Sequence, residues 1–211
     1  MVSLIFGTPG SGKTTCGAWL ALRAANNKPL RIGGYTLQDS AAPYERIYTN
    51  FPISIPDKTI YKWENEVFEH DVCCKSLYIL DEAAQLWDSR DFKRFDADVK
   101  EWFAIHRHRG CDVVLISQGF KDCDLRIRNL ADVVFLLEKS LLPDFSKITP
   151  LVKYARLEHG EILEGYEPAP PLQRRYINRR RLYKYFDSYS APVLPGGYDP
   201  APWMPEDARA H

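Results

Sequence analysis

Over residues 1–140, short apolar runs alternate with stretches in which apolar residues recur every three or four positions. Uninterrupted apolar runs with turn residues at their ends are typical of buried strands, and the wider spacing is typical of helices. The pattern predicts strands at residues 2–6, 46–51, 76–81, 112–117 and 132–137, and a helix at 13–26. A second helix carries Phe92, Phe95, Val99, Trp102, Phe103 and His106 on one face and is expected to end at Gly110. Buried strands separated by helices indicate an α/β fold with a mainly parallel central sheet flanked by helices.

The pattern changes after Ser140. Apolar residues at 152–157 and 162–166 flank the pair His159-Gly160, which suits a hairpin turn. Arg174 to Lys184 is a basic and aromatic stretch, and Pro and Gly dominate from Pro192 onward, as in a tail without its own core. We therefore expect a core at 1–140, a β-rich extension of it at 141–172, and a basic segment with a Pro-rich tail at 173–211.

Composition narrows the class of protein. Lys and Arg number 28, as do Asp and Glu, which argues against attachment to nucleic acid by bulk charge. Hydrophobic residues at 45% and charged residues at 27% exclude a disordered chain. No apolar run approaches the roughly 20 residues that cross a bilayer, and no basic leader opens the chain. The 5 cysteines include no CxxC pair, so we expect no disulfide framework or zinc site, and a cytoplasmic protein.

A complete phosphate-loop motif, GxxxxGK[ST] (Walker A), follows the first predicted strand and opens the first predicted helix. Its residues are Gly7, Thr8, Pro9, Gly10, Ser11, Gly12, Lys13 and Thr14, followed by Thr15. Glycines let backbone N–H groups surround phosphate oxygens. Lys13 is expected to reach the β- and γ-phosphates and Thr14 to bind Mg²⁺, while Thr15 contacts the α-phosphate or packs. A glycine-rich turn that arose by chance is the alternative.

Two carboxylates, Asp81 and Glu82, follow the third predicted strand. In phosphate-loop proteins an Asp at this position (Walker B) holds the Mg²⁺ shell. Glu82 is then placed to orient and deprotonate the water that attacks the γ-phosphate, which favours hydrolysis over transfer to a metabolite. The alternative is a helix N-terminus that is merely rich in acids. No NKxD motif supports guanine, so the expected cofactors are ATP and Mg²⁺.

Polar residues beyond the fourth predicted strand are further candidates. In the additional-strand class of ATPases, to which RecA and FtsK belong, this strand ends in a residue that senses the γ-phosphate. Gln118 is long enough for that role. The alternative is that Gln118 is an ordinary polar loop residue. Arg126 or Arg128 is a candidate to stabilise transition-state charge across a subunit interface, or forms surface ion pairs. His106 lies on an apolar helix face. We therefore expect it in the core, or supporting a catalytic residue, rather than in a direct catalytic role.

The chain resembles the zonula occludens toxin (Zot) family, which includes the filamentous-phage assembly ATPase. The resemblance covers about residues 1–140, and its most specific part is HRHRG-x-D followed by a strand. The segments that carry it are the phosphate loop, Tyr48-Thr49-Asn50-Phe51, Asp81-Glu82-Ala83-Ala84-Gln85-Leu86-Trp87, His106-Arg107-His108-Arg109-Gly110-Cys111-Asp112-Val113, Ser117-Gln118 and Asp124-Leu125-Arg126-Ile127-Arg128.

This resemblance implies a phosphate-loop ATPase domain for phage assembly and export in the host cytoplasm, working with phage coat and assembly proteins. Family members usually continue into a transmembrane helix, which implies the cytoplasmic face of the inner membrane if the chain continues beyond His211. The family and the motor function also imply a homo-oligomeric ring, expected to have six subunits.

Two other functions stay open. One is a viral DNA-packaging ATPase, and the other is a nucleotide-gated scaffold with little turnover, against which Glu82 argues. The stretch from Arg174 to Lys184 bears on this choice, because it suits DNA phosphates, anionic lipid headgroups or the solvated face of a helix.

Overall fold

The computed structural model describes residues 1–39, 42–63, 75–86, 97–120, 125–158 and 161–186. Its strands are β1 (Val2–Phe6), β2 (Arg31–Ile32), β3 (Tyr35–Thr36), β4 (Arg46–Thr49), β5 (Tyr61–Lys62), β6 (Ser76–Leu80), β7 (Asp112–Ser117), β8 (Val133–Lys139), β9 (Phe145–Glu158), β10 (Glu161–Pro168) and β11 (Arg175–Asn178). Its helices are Lys13–Ala25, Ala83–Leu86, Ala97–Ile105 and Leu125–Leu130, and a 3-10 helix covers Pro171–Gln173.

One large sheet has the strand order β10-β9-β8-β1-β7-β6-β4-β5, with β11 also paired to β9. The strands from β8 to β5 are parallel, whereas β9 is antiparallel to each of its partners β8, β10 and β11. Strand β7 lies between β1, which precedes the phosphate loop, and β6, which precedes Asp81. This is the additional-strand arrangement, and the predicted α/β phosphate-loop NTPase fold is confirmed.

Successive side chains of a strand point to opposite sides of the sheet, so the uninterrupted apolar runs make the parallel strands apolar on both faces. On one face Ile5, Ile79, Val114 and Ile116 belong to a core with Cys16, Leu20 and Ala24 of the first helix. On the other face Leu4, Tyr78, Leu80 and Leu115 belong to a core with Leu86, Trp102 and Phe103. The two cores fix the strand register, so the positions of the strand ends are fixed as well.

The five predicted parallel strands are confirmed, with differences at their ends. Strand β4 ends at Thr49 rather than at residue 51, because Asn50 turns away to bond with the backbone of Asp81. The predicted helix before β7 ends at Ile105, and Gly110, with a φ of 67°, lies in the turns that follow it. Phe92 and Phe95 of its predicted apolar face lie outside the described residues.

The predicted hairpin strands are present and longer than expected, as β9 and β10 pair from Glu158 with Glu161 to Leu151 with Pro168. The stretch from Arg174 to Lys184 is not a helix: it forms β11 and then turns, so the solvated-helix interpretation is wrong. The first part of this stretch is a strand because it pairs with β9. A short polar sequence does not reveal such a pairing by itself. Within the described ranges, no helix is long and apolar enough to cross a membrane.

The most specific part of the family resemblance lies at the amino ends of the parallel strands, opposite the phosphate loop. The Met1 amino group lies 2.7 Å from Asp112 Oδ1 at the start of β7, and Tyr44 donates to the same carboxylate at 2.7 Å. Arg107 pairs with Asp132, which also accepts from the Val2 N–H at 2.8 Å. His106 is buried, its Nδ1 lies 2.6 Å from the Phe103 carbonyl, and burial lowers its pKa. The HRHRG-x-D run is therefore structural.

Candidate functional site

The phosphate loop lies where the carboxyl ends of three adjacent parallel strands meet. Gly7 follows β1 and donates its N–H to the carbonyl of Ser117, the last residue of β7, at 3.2 Å. Asp81 follows β6, and Gln118 follows β7. Because β7 separates β1 from β6, residues far apart in sequence are brought to one edge of the sheet, where open α/β sheets bind their ligands.

Glycines give the loop a shape that other residues do not adopt readily. Gly10 and Gly12 have φ angles of 72° and 90°, in the left-handed region. A side chain on Gly12 would also approach Arg179 Cδ to 2.9 Å. Gly12 caps the helix Lys13–Ala25, whose first backbone bond runs from the Cys16 N–H to the Gly12 carbonyl at 2.9 Å. Amides of a first helical turn have no partner within the helix and favour an anion.

Lys13 is the buried cation of the loop. It is 8% exposed, and its Nζ lies 3.2 Å from the Gly7 carbonyl and 3.4 Å from the Thr8 carbonyl. Neutral carbonyls are weaker partners for an ammonium than phosphate oxygens are. The Lys13 side chain thus folds back against the carbonyls of its own loop, and its charge is available to a polyphosphate.

Thr14 and Asp81 form the second element of the site. The Thr14 hydroxyl donates to Asp81 Oδ2 at 2.6 Å, which joins the start of the first helix to the end of β6. Burial raises the pKa of Asp81, and the bond from Thr14 opposes that shift. Hydroxyl and carboxylate oxygens are the ligands that Mg²⁺ prefers, and one or two protein ligands suffice when phosphates supply others. The pair fits Mg²⁺, and no group of three acidic, His or Cys ligands occurs among the described residues.

Asn50 holds Asp81 from the neighbouring strand, a role that the sequence analysis did not assign. Its Nδ2 donates to the Asp81 carbonyl and its Oδ1 accepts from the Asp81 N–H, both at 2.7 Å, and Asn50 is fully buried. This reciprocal pair fixes the backbone that carries the carboxylate. A signal was present, since Asn50 is a polar residue at the end of a buried strand, like Ser117 and Gln118.

Glu82 and Gln118 face each other across the site. The Gln118 amide donates to Glu82 Oε1 at 3.0 Å, and both residues line the same cavity as Lys13 and Thr14. Glu82 has a φ of 51°, a left-handed conformation that is unfavourable for Glu and that often marks functional positions. The Glu82 N–H also donates to Asp81 Oδ1 at 2.9 Å. The proposed base is thus fixed by its backbone and by its side chain.

The carboxyl-terminal part of the chain also reaches the loop. Ser146, in β9, donates its hydroxyl to the Ser11 carbonyl at 2.6 Å and is buried. Arg179, just beyond β11, places Nη1 3.5 Å from the Gly10 carbonyl. Together with Tyr183 it closes one side of a cavity of about 420 Å³. The cavity is lined by Pro9, Gly10, Gly12, Lys13, Thr14, Thr15, Glu82, Gln118, Arg179 and Tyr183. No motif identified Ser146, and the basic and aromatic stretch that contains Arg179 and Tyr183 was not predicted to reach the phosphate loop.

Arg126 and Arg128, one of which was predicted to act across a subunit interface, lie on the helix Leu125–Leu130. Arg128 stacks over the ring of Phe120, with Cζ 5.2 Å from the ring centre, and does not line the cavity. The side chain of Arg126 lies outside the described residues. The structure therefore brings together Lys13, Thr14, Thr15, Asp81, Glu82 and Gln118, and leaves the role of Arg126 and Arg128 a prediction.

A second cavity, of about 750 Å³, lies beside β11, and we call it the basic-aromatic pocket. It is lined by Trp19, Leu22, Phe145, Tyr176, Ile177, Asn178, Arg180, Arg181, Leu182, Lys184 and Tyr185. Beside it, Arg175 stacks on Trp19, with Cζ 5.3 Å from the ring centre. The predicted basic stretch thus divides, with Arg179 facing the phosphate loop and the later cations facing outward.

Comparison with known proteins gives the following matches. The family model described as Zonular occludens toxin (Zot) matches residues 1–142, which end between β8 and β9. No curated protein matches the chain. The chain is similar to the solved N-terminal domain of zonular occludens toxin from Neisseria meningitidis, with 18% identity, a TM-score of 0.48, and coverage of 82% of this chain and 95% of that chain.

Two other solved structures are more distant. The genome packaging NTPase B204 from Sulfolobus turreted icosahedral virus 2, in complex with ATP-gammaS, has 13% identity and a TM-score of 0.45, over 79% of this chain and 96% of that chain. The KaiC-like protein PH0186 from Pyrococcus horikoshii OT3 has 12% identity and a TM-score of 0.38, over 78% and 88%.

Proposed function

We propose that this chain, which belongs to the zonular occludens toxin (Zot) family, is an ATP-binding and hydrolysing motor domain for phage virion assembly and export. Two kinds of support are combined: membership of the family and the geometry of one cavity. The observation that carries it is the Glu82–Gln118 pair, which lies across the same cavity from Lys13 and Thr14. This places a carboxylate base beside the groups that suit a triphosphate.

The binding step uses charge and backbone amides. The loop glycines and the first turn of the helix Lys13–Ala25 surround the phosphates, and the buried Lys13 ammonium leaves its two carbonyl partners for phosphate oxygens. Thr14 and Asp81 would hold Mg²⁺, which when bound neutralises charge on the phosphates. Asn50 keeps the Asp81 backbone fixed throughout, since both of its bonds are to that backbone.

The hydrolytic step requires a base that is close and correctly oriented. The Gln118 amide donates to one oxygen of Glu82, which leaves the other oxygen to accept a proton from water. The left-handed backbone of Glu82 fixes the direction of the side chain. General-base catalysis of this kind contributes roughly 10²–10⁴-fold to a rate.

A motor of this type acts as a ring, and we propose a homo-hexamer in the host cytoplasm, at the cytoplasmic face of the inner membrane if the chain continues. Its partners would be phage coat and assembly proteins. Arg126 or Arg128 would complete a neighbour's site. If so, turnover per subunit rises with protein concentration, and mixing Arg126→Ala or Arg128→Ala chains with Glu82→Gln chains restores activity. No rescue in either mixture would remove both arginines from this role.

Viral DNA packaging is the second candidate, and the basic-aromatic pocket favours it. Cations interleaved with aromatic rings suit a nucleic-acid backbone and its bases. Arg180, Arg181 and Lys184 line that pocket together with Trp19 and Tyr176. The same cations would also suit anionic lipid headgroups. Binding to such lipids would favour assembly and export at a membrane over DNA packaging.

Phosphate release from ATP and Mg²⁺, measured with and without DNA, distinguishes these functions. Basal turnover that DNA leaves unchanged supports assembly and export, and strong stimulation by DNA supports packaging. ATP binding without turnover supports a nucleotide-gated scaffold. Absence of ATP binding would contradict all three.

A further inference from the structure

A turn after β11 carries an arginine to the phosphate loop of its own chain. The Arg179 N–H donates to the Asp144 carbonyl at 2.8 Å, and the Leu182 N–H donates back to the Arg179 carbonyl at 2.9 Å. Leu182 and Phe186 are buried in the main core, and the Ser54 N–H donates to the Tyr185 carbonyl at 2.8 Å. The turn is therefore fixed on both sides before any ligand arrives.

The guanidinium of Arg179 is poorly satisfied where it lies. Its Nη1 is 3.5 Å from the Gly10 carbonyl, at the limit of a hydrogen bond. Its Nε is buried and has no hydrogen-bond partner among the described residues. A phosphate oxygen is a charged acceptor of the geometry that a guanidinium fork prefers, so a phosphate would be favoured over the peptide carbonyl.

Tyr183 lies one turn further on and lines the same cavity. The residue is 45% exposed, and its ring contacts that of Phe186, with 6.3 Å between the ring centres. A half-exposed aromatic ring in contact with a buried one is a suitable surface for stacking a nucleobase, since every base has a π face. Tyr183 and Arg179 thus offer a ring and a cation to the same cavity.

We propose that the turn from Arg179 to Tyr183 clamps the nucleotide in cis, with Arg179 binding its phosphates and Tyr183 stacking on its base. This rests on the proposed function, because it requires that the cavity bind a nucleoside triphosphate. It assigns a contact that belongs to each chain alone, unlike the arginines expected from a neighbour. The clamp makes the β9–β11 extension part of the binding site.

The test is the affinity of purified variants for ATP, AMP and adenosine, measured by calorimetric titration. Arg179→Ala should lower the affinity for ATP by about tenfold or more, because a phosphate contact is lost. It should hardly change the affinity for adenosine, which has no phosphate. Arg179→Lys should retain only part of the affinity, because it keeps the charge and loses the guanidinium fork. Arg179→Gln, which has no charge, should lose as much as Arg179→Ala. Tyr183→Ala should lower the affinity for all three ligands by a similar factor, and Tyr183→Phe should keep these affinities close to those of the unaltered chain.

A matched pair on β9 provides the control. Arg156 stacks on Tyr154, with Cζ 4.6 Å from the ring centre, and neither residue lines the cavity. Arg156→Ala and Tyr154→Ala should leave all affinities unchanged. An equal loss of ATP affinity in Arg156→Ala and Arg179→Ala would overturn the clamp, since general charge would then explain both.

Two further outcomes separate this proposal from the one on which it depends. If Arg179→Ala binds ATP normally while Lys13→Ala does not, the clamp is wrong and the proposed function stands. If the unaltered chain binds no ATP, both are wrong. Mixing Arg179→Ala with Lys13→Ala chains should not restore affinity, because both residues must belong to one chain, and restoration would contradict action in cis.

Discussion

The parallel and antiparallel parts of the sheet contribute to the phosphate loop in different ways. The parallel strands β6 and β7 are followed directly by Asp81 and Gln118, and β1 is followed by the phosphate loop, which leads to Lys13. The antiparallel extension instead reaches the loop from the side, through Ser146 near the start of β9 and Arg179 after β11. The parallel part carries groups that suit the chemistry, and the extension holds and encloses the loop.

The largest expected effect tests the parallel part. Lys13→Ala should abolish measurable ATP binding, because the phosphates would lose the buried cation of the loop and each charged hydrogen bond is worth roughly 1.5–3 kcal/mol. Calorimetric titration measures it. Lys153→Ala, which removes an exposed cation paired with Glu164 on the extension, is the control. Unchanged ATP affinity in Lys13→Ala would contradict the phosphate-loop assignment.

The second prediction separates binding from turnover. Glu82→Gln should bind ATP normally and release phosphate roughly 10²-fold or more slowly, because an amide preserves the shape of the side chain and cannot take a proton. Single-turnover phosphate release measures it, with Glu164→Gln as the control. Near-normal release would remove Glu82 from the mechanism and leave the Glu82–Gln118 pair with a positioning role only.

The two parts also differ in how far their sequence predicts them. The parallel strands are uninterrupted apolar runs, and the loop between β1 and its helix is a complete motif, so both were predicted with small errors at the ends. Strand ends also indicated Asp81, Glu82 and Gln118, since parallel strands place their carboxyl ends at one edge. The family match ends at residue 142, before β9 begins.

The contacts with the phosphate loop that were missed join residues distant in sequence. Ser146 bonds to Ser11 across 135 positions, and Arg179 approaches Gly10 across 169. Nothing local distinguishes Arg179 from the cations that follow it, because the turn alone decides which side each one faces. Strands β2, β3 and β5, of two residues each, are too short to show a period.

A smaller effect tests the extension. Ser146→Ala should weaken ATP binding severalfold and lower the free energy of unfolding by about 1 kcal/mol, because the Ser11 carbonyl loses its buried partner. Urea unfolding and titration measure the two effects, with Ser140→Ala as the control on the neighbouring connection. A normal ATP affinity together with a lowered stability would mean that β9 supports the fold without shaping the loop.

The smallest effect concerns the amino edge of the parallel strands, where the family-specific run should change stability and not turnover. Burial disfavours the charged form of Asp132, but the bonds from Arg107 and from the Val2 N–H outweigh it and lower the pKa of Asp132. A lowered folded pKa stabilises the protein above the unfolded value of about 3.9, and that contribution is lost as the pH falls through the folded pKa.

Arg107→Ala should therefore be less stable than the unaltered chain at pH 7 by up to about 1 kcal/mol, since Arg107 is largely exposed and solvent weakens the pair. The difference should close as the pH falls below the pKa of Asp132, because a neutral carboxyl no longer attracts the guanidinium. Urea unfolding at a series of pH values from 7 downward measures this, with phosphate release per folded molecule at pH 7 expected to stay normal. A pH-independent difference would mean that Arg107 stabilises the edge by packing rather than by charge, and a loss of turnover would mean that this edge affects the site across the sheet.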